Sequence, residues 1–202
     1  MTTTRTTSTT TTTTTQRLRV AVIVGSTREG RFAPTVRDWF VSVAAQRDDI
    51  AIDVIDLAGG ERPEILGSEV APVVGSITPR LAAADAFVVI TPEYNHSFPA
   101  DLKHAIDWHL DEWRAKPVGF VSYGGVAGGL RAVEQLRLVF AELHAPTMRD
   151  TVSFHGAWHR FGPDGQPHDA EGPAGAAKVM LDQLAWWAVT LRDGKAARAY
   201  TA

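Results

Sequence analysis

The sequence predicts an α/β protein in which one five-stranded parallel sheet is covered by helices on both faces. Five apolar runs alternate with segments whose apolar residues recur at three- and four-residue spacing. The run at 85–91 is almost entirely apolar, which suits a parallel strand buried on both faces. With 202 residues, 45% of them apolar and 21% charged, the chain can bury one substantial core. Right-handed crossovers leave few topologies, and the strand order 2-1-3-4-5 in a three-layer sandwich fits best.

The first half of the chain contributes three strands and three helices. Hydrophobic periodicity and the positions of Pro and Gly define their limits. Pro92 is expected to end the third strand, and Pro99 fits the first turn of the helix that follows. The predicted segments are a strand at 18–24, a helix at 33–46, a strand at 50–57, a loop at 58–75, a short helix at 76–84, a strand at 85–91 and a helix at 99–113.

The second half contributes two strands and two helices. The predicted segments are a strand at 117–122, its exit loop at 123–129, a helix at 130–143, a strand at 147–154, a loop at 155–173 and a last helix at 174–192. No internal repeat or linker divides the chain, so residues 17–195 are expected to form one domain of flavodoxin-like winding.

The N-terminal residues are compositionally distinct. Residues 2–15 are all Thr except Arg5 and Ser8, which leaves no apolar face to bury, so residues 1–16 are expected to be a disordered tail. The tail lacks the apolar centre of a secretory signal. Its acid-free start weakly resembles a transit peptide, but a cytoplasmic location fits better.

Composition excludes several functional classes. A net charge of −3 does not favour a nucleic-acid partner, and no apolar run is long enough to predict a membrane span. The absence of cysteine excludes disulfides, thiolate metal sites and cysteine nucleophiles. His155, His159 and His168 are interpreted as ordinary polar loop residues, so no metal site is predicted.

Three loops follow the strands that a 2-1-3-4-5 sheet places side by side. These loops, at 25–31, 92–97 and 122–129, are rich in glycine or polar residues. They leave the first, third and fourth strands at the carboxyl edge, where open α/β sheets bind ligands. We therefore expect the three loops to meet in one cleft.

The first loop predicts a phosphate site without a metal. Its Gly-x-x-x-x-Gly spacing is close to a P-loop, but Arg31 and Phe32 replace the required Lys and Ser or Thr, so nucleotide hydrolysis is not expected. What remains is hydroxyls, backbone N–H groups at a helix start, and guanidinium groups. Ser26, Arg28 and Arg31 are the predicted ligands of a terminal phosphate monoester.

The other two loops suit a flat ligand. The glycine pairs of the third loop allow a backbone to approach a ring closely. His96 in the second loop is a candidate contact for a second substrate. Asp53 and Asp56 lie where a dinucleotide fold binds ribose, but the glycine fingerprint of that fold is absent.

These motifs resemble the NADPH-dependent FMN reductase family, which includes flavin, quinone, azo-dye and chromate reductases of flavodoxin-like fold. The resemblance covers roughly residues 18–145 and rests on Gly-Ser-Thr-Arg at 25–28, Pro-Glu-Tyr-Asn-x-Ser-x-Pro at 92–99 with Leu-Lys-x-Ala-Ile-Asp-Trp at 102–108, and Ser-Tyr-Gly-Gly at 122–125. Two positions depart from the pattern of many members. Gly-Arg at 30–31 replaces a Ser-rich loop, and Ala100 stands where Gly is common.

The resemblance implies bound FMN, NADPH or NADH as co-substrate, and a homodimer or dimer of dimers paired through the third and fourth helices. It implies that Ser26, Arg28 and Arg31 hold the phosphate. It also implies ring contacts, which are Pro92, Glu93, Tyr94 and Asn95 around the isoalloxazine and Ser122, Tyr123, Gly124 and Gly125 at its pyrimidine edge.

The expected function is hydride transfer from NAD(P)H through FMN to a quinone, another small electrophile or free flavin. In such chemistry the protein orients the flavin and its substrates and forms hydrogen bonds to them. No side chain is expected to act as acid, base or nucleophile. The sequence also lacks the Gly-x-Ser-x-Gly elbow of hydrolases. A non-enzymatic flavin protein that carries electrons or responds to redox state is the alternative, and a dinucleotide-binding oxidoreductase without flavin is a weaker one.

Overall fold

A computed structural model of the chain describes residues 17–59 and 72–201. The predicted tail and most of the predicted loop at 58–75 lie outside these residues. The strands are β1 (Leu18–Val24), β2 (Ile50–Asp56), β3 (Ala86–Pro92), β4 (Val118–Gly124) and β5 (Val152–His155). The helices are α1 (Ala33–Ala44), α2 (Pro72–Ala83), α3 (Ala100–Asp107), α4 (Leu130–Glu142) and α5 (Glu171–Ala197). No helix in this described part is long and apolar enough to cross a membrane.

The five strands form one parallel sheet in the order β2-β1-β3-β4-β5, which confirms the predicted topology. The register brings the carboxyl ends of the central strands to the same level. Val24 of β1 pairs with Ile90, and Pro92 of β3 pairs with Tyr123. The segments that leave β1, β3 and β4 therefore start from neighbouring points on one edge of the sheet.

Alternate residues of each strand point into two separate core layers. Val20, Val22 and Val24 face α1 and α5, whereas Ala21 and Ile23 face α2, α3 and α4. Both layers are rich in aromatic side chains, including Trp39, Phe40, Phe154 and Phe161 in the first and Phe87, Trp113, Phe120 and Phe140 in the second. Helices thus cover both faces of the sheet, as predicted.

The third helix is shorter than predicted, because α3 ends at Asp107 rather than at 113. Two side chains donate hydrogen bonds to backbone carbonyls of its last turn. His109 Nδ1–H donates to the Ala105 carbonyl at 2.8 Å, and Trp113 Nε1–H donates to the Ile106 carbonyl at 3.1 Å. Trp113 is buried in the core, but Leu110, which the predicted helix also included, is 52% exposed. The helix does not continue because the His109 backbone N–H donates to the Ile106 carbonyl three residues back, and side-chain donors bind the carbonyls of the last turn.

Several other boundaries differ from the predictions. Helix α2 begins at Pro72 instead of 76, α1 ends at 44 instead of 46, and α5 extends beyond both predicted limits to cover Glu171–Ala197. Strand β5 covers only Val152–His155, while Thr147 forms an isolated bridge with Val118. Strand β4 continues through Gly124, which pairs with His155, so the loop predicted to start at 123 starts at Gly125.

Candidate active site

A cleft of about 330 Å³ opens at the carboxyl ends of β1, β3 and β4. Its lining residues are Ser26, Arg28, Glu29, Gly30, Arg31, Phe32, Pro92, Glu93, Tyr94, Tyr123, Gly124 and Trp158. The structure therefore brings the three predicted loops together. Every predicted binding residue lines the cleft except Asn95, Ser122 and Gly125.

The first loop contains two arginines in different environments. The Arg31 guanidinium donates to both carboxylate oxygens of Asp56, at 2.6 and 2.8 Å, and to the Ser26 carbonyl at 2.6 Å. Hydrogen bonds with Asp56 raise the pKa of Arg31. Burial by itself would raise the pKa of Asp56, but hydrogen bonds from Arg31 and the Ala58 N–H and the nearby positive charges lower it. Arg31 thus ties the first loop to the end of β2.

Arg28 is exposed on the same loop, and its side chain has no hydrogen-bond or ion-pair partner among the described residues. Ser26 is buried beneath it, and its hydroxyl lies 2.9 Å from the Tyr94 hydroxyl. Among the described residues, the Arg28 guanidinium therefore has no partner and is available at the cleft. Tyr94 of the second loop contacts Ser26 of the first loop.

The second loop makes a tight turn. Tyr94 and Ser97 exchange backbone hydrogen bonds of 2.8 and 3.0 Å, and the two residues between them have positive φ, 48° at Asn95 and 72° at His96. Positive φ at both central positions is typical of a primed turn and is unusual for residues other than glycine. Asn95 and His96 are exposed at the tip of this turn and lie outside the cleft lining.

Helix α4 holds the turn in place. Ser97 Oγ donates to Gln135 Oε1 at 2.6 Å, and Gln135 Nε2 donates to the His96 carbonyl at 3.0 Å. Arg131, one helical turn earlier, donates to Glu93 Oε1 at 2.9 Å. These contacts fix the strained turn relative to the sheet, so the second loop is preorganised.

Two buried polar atoms at the cleft have no hydrogen-bond partner within the described ranges: Glu93 Oε2 and the Tyr123 hydroxyl. Burial raises the pKa of Tyr123, so its hydroxyl keeps the proton and can donate. Buried polar groups in proteins are almost always satisfied, and an orphan requires an explanation. An acceptor and a donor are therefore available on the cleft wall.

Ser122 lies behind the third loop instead of facing the cleft. Its fully buried hydroxyl donates to the Gly128 carbonyl at 2.9 Å, and Ser153 Oγ donates to the same carbonyl at 2.9 Å. Gly128 and Gly129 have φ of 59° and 85°, and a Cβ at 129 would lie 2.7 Å from Ser122 Cβ. Ser122 therefore shapes the loop, while Gly125 is exposed.

Sequence reasoning missed four lining residues, Glu29, Gly30, Phe32 and Trp158. Trp158 is the most informative, because it comes from a fourth segment, the 3₁₀ turn Ala157–His159 that follows β5. A single tryptophan in an irregular loop carries no periodic signal. The predicted strand order was the available signal, because it places the exit of the fifth strand beside that of the fourth.

The remaining polar candidates are engaged elsewhere. Asp53 accepts a 2.9 Å hydrogen bond from Arg80, and His155 Nδ1–H donates to the Val126 carbonyl at 2.9 Å. Within residues 17–59 and 72–201, no group of three or more His, Asp or Glu side chains is arranged to hold a metal ion.

Several known proteins are similar to this chain. The model of the NADPH-dependent FMN reductase family matches residues 18–159. An NAD(P)H-dependent FMN reductase of Schizosaccharomyces pombe is 34% identical over 144 residues, which are 64% of this chain and 70% of that protein. A quinone reductase of Escherichia coli is 32% identical over 142 residues, 66% of this chain and 74% of that protein.

Among solved structures, the flavoenzyme NAD(P)H:(acceptor) oxidoreductase FerB of Paracoccus denitrificans superposes with a TM-score of 0.70. At 24% identity, covering 86% of this chain and 98% of FerB, that likeness supports the fold. The family match covers well over half of the chain and spans all three loops of the cleft. The chain therefore belongs to the NADPH-dependent FMN reductase family.

Proposed function

We propose that the protein is an FMN-dependent oxidoreductase that passes electrons from NAD(P)H to a quinone, another small electrophile or free flavin. Three loops converge on one cleft, where a guanidinium and two buried polar atoms have no partner among the described residues, and this convergence carries the proposal. The serine hydroxyls at the cleft and its loops bond to a tyrosine, an amide and a backbone carbonyl, none of them a general base. Hydrolytic chemistry is therefore not supported.

The first loop fits the phosphate end of FMN. Arg28 offers an uncommitted guanidinium, Ser26 a hydroxyl, and the start of α1 its backbone N–H groups. Arg31 differs from its predicted role, because Asp56 and the Ser26 carbonyl already occupy its donors. In the proposal Arg28 contacts the phosphate directly, and Arg31 holds the loop in the conformation that binds it.

The wall of the cleft fits the ring of FMN. An isoalloxazine carries an N–H donor and carbonyl acceptors on its pyrimidine edge, and Glu93 Oε2 and the Tyr123 hydroxyl are an acceptor and a donor without partners among the described residues. Pro92, Tyr94 and Gly124 supply the surrounding surface, whereas Asn95 and Gly125 lie outside the cleft lining. Bound FMN supplies the centre for hydride transfer, and the protein supplies binding, orientation and exclusion of water.

We further propose that the chain pairs with a second copy through α3 and α4, as a homodimer or dimer of dimers. Leu138 of α4 is 75% exposed, and Leu110 after α3 is also exposed. Exposed apolar side chains on α4 and directly after α3 favour a protein contact at these helices. Light scattering after gel filtration tests the assembly, and L138E should shift a dimer to a monomer. A cytoplasmic location is also part of the proposal.

The central experiment measures FMN binding and turnover on the same preparation. Purified protein is titrated with FMN and with riboflavin, and then assayed for NADPH and NADH oxidation with a naphthoquinone as acceptor. We expect tighter binding of FMN than of riboflavin, together with quinone-dependent NAD(P)H oxidation. FMN binding without turnover would favour the electron-carrier alternative, and equal affinity for the two flavins would contradict the phosphate site.

A further inference from the structure

Trp158 occupies an unusual position for a large aromatic residue. It lines the cleft, yet its side chain is 59% exposed. No aromatic ring of the described residues packs against its indole. Aromatic side chains contribute strongly to binding because they offer a large rigid surface at low entropic cost. An uncovered indole at a cleft mouth is thus available for a ligand.

The backbone beneath this indole is held firmly. The Gly156 N–H donates to the Gly125 carbonyl at 2.9 Å, and His155 joins Val126 through its imidazole. Gly156 adopts φ of 58°, which a glycine tolerates without strain, and Ala157 is completely buried in the core. The turn that carries Trp158 is therefore attached to the third loop on one side and to the core on the other.

The indole faces a cleft whose two ends differ in chemistry. The first loop offers Ser26 and Arg28, which suit an anion, whereas Phe32, Pro92 and Tyr123 provide apolar and aromatic surface. The face of an indole is electron-rich and stacks best on an electron-poor ring. A neutral quinone has such a ring, and it needs no charged partner.

We infer that Trp158 is the acceptor-selecting wall of the cleft, against which the planar ring of a neutral quinone stacks. This inference rests on the proposed function and narrows its acceptor class. It makes Trp158 a binding residue that separates ring-shaped acceptors from compact inorganic ones, because only the former gain contact area with the indole.

The test compares W158A and W158F with the wild type in the FMN-loaded enzyme. Trp186 provides the matched control, since it is 63% exposed on α5 and lines a different groove. Steady-state kinetics are measured with 2-methyl-1,4-naphthoquinone and with ferricyanide, which has no ring. We expect W158A to raise KM for the quinone roughly threefold to tenfold, the value of one aromatic pair. W158F should recover most of the loss, and W186A should resemble the wild type.

The inference requires that W158A affect the quinone more than the other ligands. The KM for ferricyanide and the Kd of FMN should stay within about twofold in W158A, because neither ligand depends on stacking against the indole in this inference. An unchanged quinone KM, equal rises for both acceptors, or a rise confined to NADPH would each overturn the inference.

A binding measurement separates this inference from the proposed function. Calorimetry of the naphthoquinone with FMN-loaded wild type and W158A requires no turnover. Weaker quinone binding by W158A supports the stacking role even if NAD(P)H oxidation is not observed. Equal quinone affinity in the two proteins contradicts it even in an active enzyme.

Discussion

At the scale of single residues, the two arginines of the first loop have different proposed roles. Arg28 binds the phosphate, and Arg31 supports the loop. The Arg28 side chain is exposed and without a partner among the described residues, whereas Arg31 forms a bidentate pair with Asp56. Both belong to the same seven-residue loop, and both fit the phosphate motif equally well in the sequence. Their different surroundings lead to two different predictions.

Replacing Arg28 by Ala should weaken FMN binding and leave riboflavin binding unchanged. Loss of a charge-assisted hydrogen bond to the phosphate corresponds to about 1.5–3 kcal/mol. Fluorescence titration with the two flavins measures the difference. R149A is the control, because Arg149 is highly exposed and lies away from the cleft. A parallel loss of riboflavin affinity in R28A would show that Arg28 acts on the ring or on the fold instead.

Replacing Arg31 by Met should lower stability at neutral pH by about 1–3 kcal/mol, since Asp56 loses its principal hydrogen-bond donor. The folded-state pKa of Asp56 lies below its ordinary value. The stabilisation is therefore complete above the unfolded pKa of about 3.9 and is lost as pH falls through the folded pKa. Urea unfolding between pH 7 and pH 3 should show the deficit of R31M shrinking on acidification. A constant deficit would mean that Asp56 does not carry the effect.

At the scale of elements, the loop after β4 depends on two glycines with positive φ. Its carbonyl at Gly128 is fixed by two serine hydroxyls, and the backbone of Gly129 runs against Ser122 and Tyr123. The loop is therefore a rigid connection between the sheet and α4. Gly125, at its start, has open space around it.

The matched substitutions G129A and G125A should behave differently. A Cβ at 129 would meet Ser122 Cβ at 2.7 Å and Tyr123 N at 2.9 Å in a backbone conformation that disfavours alanine. We expect G129A to cost about 2–4 kcal/mol of stability. G125A, with nothing within 4 Å of its added Cβ, should unfold at the wild-type midpoint. Thermal and urea unfolding compare the two, and equal effects would refute the assigned role of the loop.

At the scale of the whole molecule, one cleft serves every ligand of the proposed reaction. The loops after β1, β3 and β4 and the turn after β5 all border it. Each of the two electron-exchanging substrates has to approach the same flavin ring closely for transfer. Because these segments border one cleft at the carboxyl edge of the sheet, NAD(P)H and the acceptor are expected to use that cleft in turn.

The kinetics should accordingly be ping-pong, with NADP⁺ leaving before the acceptor binds. Double-reciprocal plots at several quinone concentrations should be parallel, and NADPH alone should bleach the flavin absorbance of the FMN-loaded protein. Stopped-flow absorbance and initial-rate assays measure these two quantities. Intersecting lines, with no bleaching until both substrates are present, would indicate a ternary complex and contradict the shared cleft.

Local sequence determined the order of the elements, the strand order and the three loops at the carboxyl edge. These features follow from hydrophobic periodicity and from Gly and Pro positions, which act within a few residues of one another. The chain connectivity and the right-handedness of the crossovers then permit only a few sheet topologies. The resemblance to the family motif then predicted which residues contact the flavin ring.

Only the tertiary structure decided which side chains are free at the cleft and which are already engaged. Asp56, the partner of Arg31, lies 25 residues after it in the sequence. Trp158 lines the cleft from the turn after β5, whereas the other lining residues come from the carboxyl ends of β1, β3 and β4 and the segments that follow them. The buried hydroxyl of Ser122 donates to the Gly128 carbonyl, and the His109 and Trp113 side chains donate to carbonyls at the end of α3. These partners are close in sequence, but which of them meet depends on how the side chains pack. Such pairings depend on distances set by packing, and hydrophobic periodicity carries no information about them.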